Sequence, residues 1–150
     1  GASFIRYFPP QSAGTNTLSG PAFHPVLNHA TVRNADPIQP GPDRLQLSGG
    51  RDPMVMFSAG MPEVLHKCLV LQVRGMITTE YADRAQLFYR TPKERKFSEA
   101  QSIRIPVGRG PKIVDFVAVS TAGFNDRLRL DPVANYQPSE VRDLSVRCLF

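Results

Sequence analysis

Three histidines, two cysteines and thirteen acidic residues are the groups in this 150-residue chain with the chemistry to hold a metal or attack a substrate. Zinc-type sites need nitrogen and sulfur ligands at short, fixed spacings. His24 and His29 lie five apart in a proline-broken stretch, with no cysteine or acidic partner at such intervals. The tripeptide His66-Lys67-Cys68 puts an imidazole and a thiol on one side of an expected strand. Strand neighbours project outward in parallel rather than toward each other, and no third group is in place to orient the base, so a Cys-His nucleophile is disfavoured. There is no phosphate-cradling glycine loop, no GxSxG and no zinc-protease helix. A carboxylate pair for glycoside hydrolysis converges only in three dimensions, and nothing in the order of the acidic residues selects two of them. The residues therefore point to a non-enzyme without metal or cofactor.

The basic residues carry more information. Of 18 Lys+Arg against 13 Asp+Glu, a net charge of +5, fourteen are arginine. Guanidinium groups favour planar, bidentate contacts with carboxylate, phosphate or sugar hydroxyls. Codon bias and ordinary surface ion pairs give the same statistic. Nucleic-acid binding is not expected, because the one dense basic cluster, "TPKERK", is interrupted by a glutamate and has no interleaved aromatics. No apolar run reaches the length of a membrane span, and "GASFIRYFPP" has no signal-peptide pattern, although Gly1 is compatible with a processed start.

The elements that must position these side chains fall into two textures. Residues 1–44 hold seven of the 14 prolines, with turn-rich stretches "PPQSAGTNTLSGP" and "NADPIQPGPD". This part reads as an irregular arm or linker, with one short strand near Phe4–Phe8. Residues 45–150 carry eight strand-like runs: "LQL", "PMVMFSA", "HKCLVLQVRG", "RAQLFYR", "SIRIPV", "KIVDFVAVS", "RLRL" and "DLSVRCLF". Turn residues separate them at 10–18-residue intervals, and helical periodicity is nearly confined to "PSEVRDL". Period-two alternation aligns Ile103, Ile105 and Val107 on one face, and Leu69, Leu71 and Val73 on another. The pattern predicts an all-β protein, an antiparallel β-sandwich of jelly-roll type with about eight strands.

In "FNDRLRLDP" the alternation sends Leu128 and Leu130 to the core and Arg127 and Arg129 to the opposite face. Asp131 is expected as a structural turn residue accepting local backbone N–H bonds, with a ligand or metal role as the alternative, and Pro132 denies the ladder its next donor. Phe97 is expected to plug a sandwich end and Glu99 to pair with an arginine or a backbone amide. Cys148 shares phase with Leu144 and Val146 and should point inward, whereas Cys68 opposes Leu69, Leu71 and Val73. Partners within one sheet must share a face, so free thiols are expected unless a bulge shifts the phase.

The order "RDPMVMF", "LVLQVRG", "AQLFYRTPKERKFSEAQSIRIPV", "RLRLDPV", "VRDLSVRCLF" resembles a family of β-sandwich modules that look like carbohydrate-binding modules. These accompany bacterial glycosyltransferases and surface-polysaccharide assembly proteins. The resemblance covers residues 45–150 and departs at "TPKERK", where the family pattern is glycine-rich. It implies a sugar-handling accessory module without catalysis, in the cell envelope or periplasm, with the cytoplasmic side also open to such machinery. Outward phase in the middle strands offers Gln72, Arg74, Gln86, Phe88, Arg90 and Arg104, with Tyr89 and Arg129 near the edges. Such an arginine-rich face would suit acidic glycans. The chain lacks tryptophan, and its four tyrosines and nine phenylalanines are largely required by the core. The rival expectation is a protein-interaction or scaffold domain that docks on an adjoining catalytic domain or an acidic partner.

Overall fold

Residues 20–150 of the chain are described in a computed structural model. The expected strand at Phe4–Phe8 lies outside them. Ten strands form: β1 (Thr31–Arg33), β2 (Pro37–Ile38), β3 (Arg44–Leu47), β4 (Met54–Ser58), β5 (Val70–Thr79), β6 (Asp83–Phe88), β7 (Ser102–Val107), β8 (Gly110–Val119), β9 (Arg127–Asp131) and β10 (Ser139–Cys148). They make two five-stranded sheets, β1-β4-β9-β6-β7 and β2-β3-β10-β5-β8, with every pairing antiparallel. All eight strands read from the sequence are present, as β3 to β10.

The two further strands come from the segment that reads as an irregular arm. β1 borders β4 at the edge of the first sheet, and β2 borders β3 at the edge of the second. Proline is tolerated at an edge, where a missing N–H costs no ladder bond, and Pro37 occupies such a place. Leu27, in a single 3-10 turn over Leu27–His29, is buried in the common core. Strands of two or three residues carry too little alternation to show in a hydropathy pattern.

The core lies between the sheets. Leu128 and Leu130 from β9, Ala85 and Leu87 from β6, Leu71, Val73 and Ile77 from β5, and Val141, Leu144 and Val146 from β10 meet there. Complete burial of such side chains contributes roughly 1.5–3 kcal/mol each. Tyr89 packs edge-on against Phe124 with ring centroids 5.4 Å apart.

Helix forms at α1 (Pro62–Lys67), with proline in the first turn, and not at "PSEVRDL", which becomes the start of β10. Residues 66–68 therefore belong to the helix and its cap, so the alternation of β5 does not reach Cys68. Leu69 ends up exposed and Cys68 buried, the reverse of the strand reading. In β10 the register slips between Arg142 and Ser145, with Asp143 at φ 57°, so Val141 and Leu144 both face the core. Cys68 and Cys148 meet with Cα atoms 5.8 Å apart and form a disulfide. The expectation of free thiols is corrected: Cys68 caps a helix and turns inward, and it meets Cys148, which faces the core with Leu144 and Val146 as expected.

Candidate functional site

Alternation places Gln72 and Arg74 on the outer face of β5, and Gln86 and Arg104 on the outer face of the β6–β7 pair, with Arg90 two residues beyond the end of β6. These belong to different sheets, so the candidate contacts occupy opposite sides of the sandwich. On the second sheet, Gln72 Nε2 donates to Asp115 Oδ1 at 3.0 Å, and Arg74 Nη2 to Asp115 Oδ2 at 2.8 Å. Tyr89 points the other way, into the core, where it is fully buried and is removed from any surface site. Burial, and then the nearby Glu94, push its phenol above the ordinary range.

The first sheet presents a more organised outer face, centred on Arg129. Its Nε and Nη2 donate to Asp131 Oδ1 and Oδ2 at 2.8 and 2.7 Å, a fork-on-fork pair between residues two apart on one strand. The guanidinium carbon lies 4.1 Å from the centroid of the Phe88 ring on the neighbouring β6. Phe88 faces outward yet is only 2% exposed, because Arg129 covers it and Phe97 packs edge-on at 6.4 Å. Arg90 in turn stands 4.7 Å from the Phe97 centroid and donates to the Arg95 carbonyl at 2.8 Å. Phe97 therefore braces this face and does not plug a sandwich end.

Alongside runs a polar row. Gln86 sits opposite Asp131 in one register and opposite Arg104 in the other. Its Nε2 donates to Glu99 Oε1 and Ser102 Oγ, both at 2.9 Å. Arg104 Nη2 also donates to Glu99 Oε1, the arginine pairing expected for Glu99. At the rim, Asp52 Oδ2 stands 4.0 Å from Arg129 Nη2 and lines an open depression with Asn34 and Arg51.

Asp131 differs from its expected turn role. It is the last residue of β9, one before Pro132, and its carboxylate takes the Arg129 fork in place of backbone amides. Burial, opposed by Arg129 and reinforced by Asp52, pushes Asp131 up to about 6. The bond to Asp131 raises Arg129 further above its already high range. A buried carboxylate keeps such a position only with a partner of this geometry. The sequence signal for this pair was Arg129 and Asp131 flanking the core residue Leu130; reading Asp131 as a turn residue concealed it.

Among the described residues no group of three or more His, Cys, Asp or Glu is placed to hold a metal ion. His66 lies on α1 beside a bridged cysteine, which leaves no thiol there to activate.

No protein-family model matches the chain, and no curated protein does. Solved structures of the same fold include a family 35 carbohydrate binding module from Clostridium thermocellum, at TM-score 0.60 and 9% identity, covering 85% of this chain and 98% of that one. The CBM22-1 xylan-binding domain of Paenibacillus barcinonensis Xyn10C aligns at TM-score 0.54 and 14% identity over 80% and 84%. A family 29 module from Piromyces equi aligns at 0.52 and 14% over 79% and 78%. At these identities the likeness shows a shared β-sandwich, with carbohydrate-binding modules as structural neighbours.

Proposed function

We propose that the chain is a non-catalytic carbohydrate-binding module whose platform is the outer face of the β1-β4-β9-β6-β7 sheet. The observation that carries this reading is Arg129, locked to Asp131 and held over the Phe88 ring, beside Gln86 and the Arg104–Glu99 pair. Planar donors and acceptors held on a sheet suit sugar hydroxyls, and groups already fixed lose little freedom when a ligand arrives. Arg104 and Arg129 each hold a carboxylate already. The face therefore offers paired donors and acceptors rather than bare positive charge, and it favours a neutral, hydroxyl-rich chain over the acidic glycan that composition suggests.

The setting that fits is the bacterial cell envelope or periplasm, as an accessory to polysaccharide machinery or to an adjoining catalytic domain. The Cys68–Cys148 bridge supports an oxidising compartment. Affinity electrophoresis of the whole chain through neutral and acidic polysaccharides tests the reading. Retardation that a Gln86→Ala/Arg104→Ala variant loses and Arg74→Ala keeps is the expected result. Loss with Arg74→Ala instead moves the site to the other sheet.

One observation favours a second reading, a protein-docking scaffold. Ile113 is 68% exposed on the outer face of β8, opposite Met76 on β5, an apolar pair bordered by Arg74 and Asp115. A folded chain that no polymer retards would leave this reading in place of the first.

A further inference from the structure

At the end of the sandwich where β5 turns into β6 and β9 into β10, Tyr136 is 70% exposed and Tyr81 48%. Among the described aromatics only Phe150 is similarly exposed, and it lies near Leu69, at the far end of β5. Exposed rings on a loop ordinarily fold back to shed water contact. These two are held outward by a buried polar hub.

Gln137, almost wholly buried, accepts from the Glu80 and Tyr81 amides at 2.9 and 3.2 Å. Its Nε2 donates to the Tyr81 carbonyl at 3.1 Å and to Asp83 Oδ2 at 2.8 Å. Asp83 in turn accepts from the Ala134 and Asn135 amides at 2.8 and 3.2 Å. Burial alone would raise Asp83, but these donors, with the Arg84 amide and Gln137, outweigh it and hold the carboxyl below its ordinary value. The Tyr81 hydroxyl donates to the Tyr136 carbonyl at 2.7 Å and closes one loop on the other. A Cβ at Gly49 would stand 3.0 Å from Tyr136 Cε1, so the ring is backed by main chain on one side and open on the other.

We propose that Tyr81 and Tyr136 form a second carbohydrate contact, a preorganised aromatic platform that stacks the apolar C–H face of a neutral pyranose. This inference rests on the glycan-binding reading and extends it to a surface that uses no arginine pair. The acidic Glu80 and Asp83, neighbours of Tyr81 in the chain, disfavour a uronate there, and with Asp83 filled by its own donors the exposed Glu80 is left to accept from hydroxyls. Asp83 begins the strand that carries Gln86, about 10 Å further along. One oligosaccharide can thus run from the sheet face onto the rings.

Calorimetric titration of the whole chain with cello-, manno- and xylo-oligosaccharides, and with an oligogalacturonate as the acidic probe, tests this. Wild type is compared with Tyr136→Ala, Tyr81→Phe and Gln86→Ala/Arg104→Ala, each checked for folding by its thermal melt. Tyr136→Ala should weaken the best neutral ligand about tenfold, the scale of one lost stacking contact. Tyr81→Phe, which keeps the ring and frees the loop, should lose less. Full affinity in folded Tyr136→Ala, with loss only in the Gln86/Arg104 variant, overturns the platform and leaves the glycan reading standing. Wild type that binds none of these probes overturns both, and preference for the oligogalacturonate overturns the neutral assignment.

Discussion

Arg129 and Asp131 divide one interaction into two opposing electrostatic effects. Burial favours the neutral carboxyl while the guanidinium fork favours the anion, and burial wins, so Asp131 sits near 6 against an ordinary 3.8. The folded chain then holds this proton more tightly than the unfolded one. Asp131's contribution to stability is therefore greatest below its unfolded value and declines as pH rises from about 4 through 6. Asp131→Asn should flatten that part of the stability profile, measured by urea denaturation across the range. Arg129→Ala strands a buried carboxylate and should cost about 3–5 kcal/mol at neutral pH. The cost should shrink toward pH 5, where Asp131 takes up a proton, and a pH-independent loss would contradict the pairing. Tyr89 gives the opposite case. Its buried hydroxyl has no hydrogen-bond partner among the described residues, so Tyr89→Phe should be neutral or stabilising by about 1 kcal/mol. Glycan affinity should be untouched, because the ring faces Phe124.

At the scale of elements, what the sequence revealed depended on how local each choice was. Alternation in "RLRL" and "SIRIPV" is a property of a few adjacent residues, and it assigned Leu128, Leu130, Ile103 and Val107 to the core correctly. Which sheet a strand joins is not local. β5 and β6 are consecutive, separated only by residues 80–82, yet β5 pairs with β10 and β8 while β6 pairs with β7 and β9. That three-residue crossing put Arg74 and Arg104 on opposite sides of the molecule, although both read as outward. Cys68 was misassigned for a related reason, since the short helix ending at Lys67 takes it out of the strand whose alternation set its expected face. Cys148 faces inward with Leu144 and Val146 as read. Asp143, in the left-handed region, sits at the irregularity of β10. Asp143→Val should cost about 1–2 kcal/mol and Asp143→Gly close to nothing, as read by thermal unfolding. Opening the bridge with Cys68→Ala/Cys148→Ala should lower stability by about 2–4 kcal/mol, as expected for a long closed loop. Wild type melted with a reductant should approach the same value.

The whole molecule separates its roles by side. The second sheet carries Gln72 and Arg74 locked on Asp115 and the exposed Ile113, whereas the first sheet and the adjoining loop end carry the Arg129–Phe88 stack and the two tyrosines. Composition showed the arginines but not their pairing, because a carboxylate partner thirty or forty residues away in sequence is brought close only by the fold, as with Arg74 and Asp115. Arginine-richness alone thus overstated the positive charge open to a ligand. This asymmetry makes a prediction about the intact chain. A ligand that binds only the folded state stabilises it by about 2.7 kcal/mol at one hundred times its dissociation constant. For a domain of this size that corresponds to a rise of about 5–10 °C in melting temperature. Neutral oligosaccharide should produce that shift in wild type and in Arg74→Ala. It should be absent in Gln86→Ala/Arg104→Ala and reduced in Tyr136→Ala. A shift that survives in the Gln86/Arg104 variant but vanishes with Arg74→Ala would assign the ligand to the second sheet, where Gln72 and Arg74 already converge on one carboxylate.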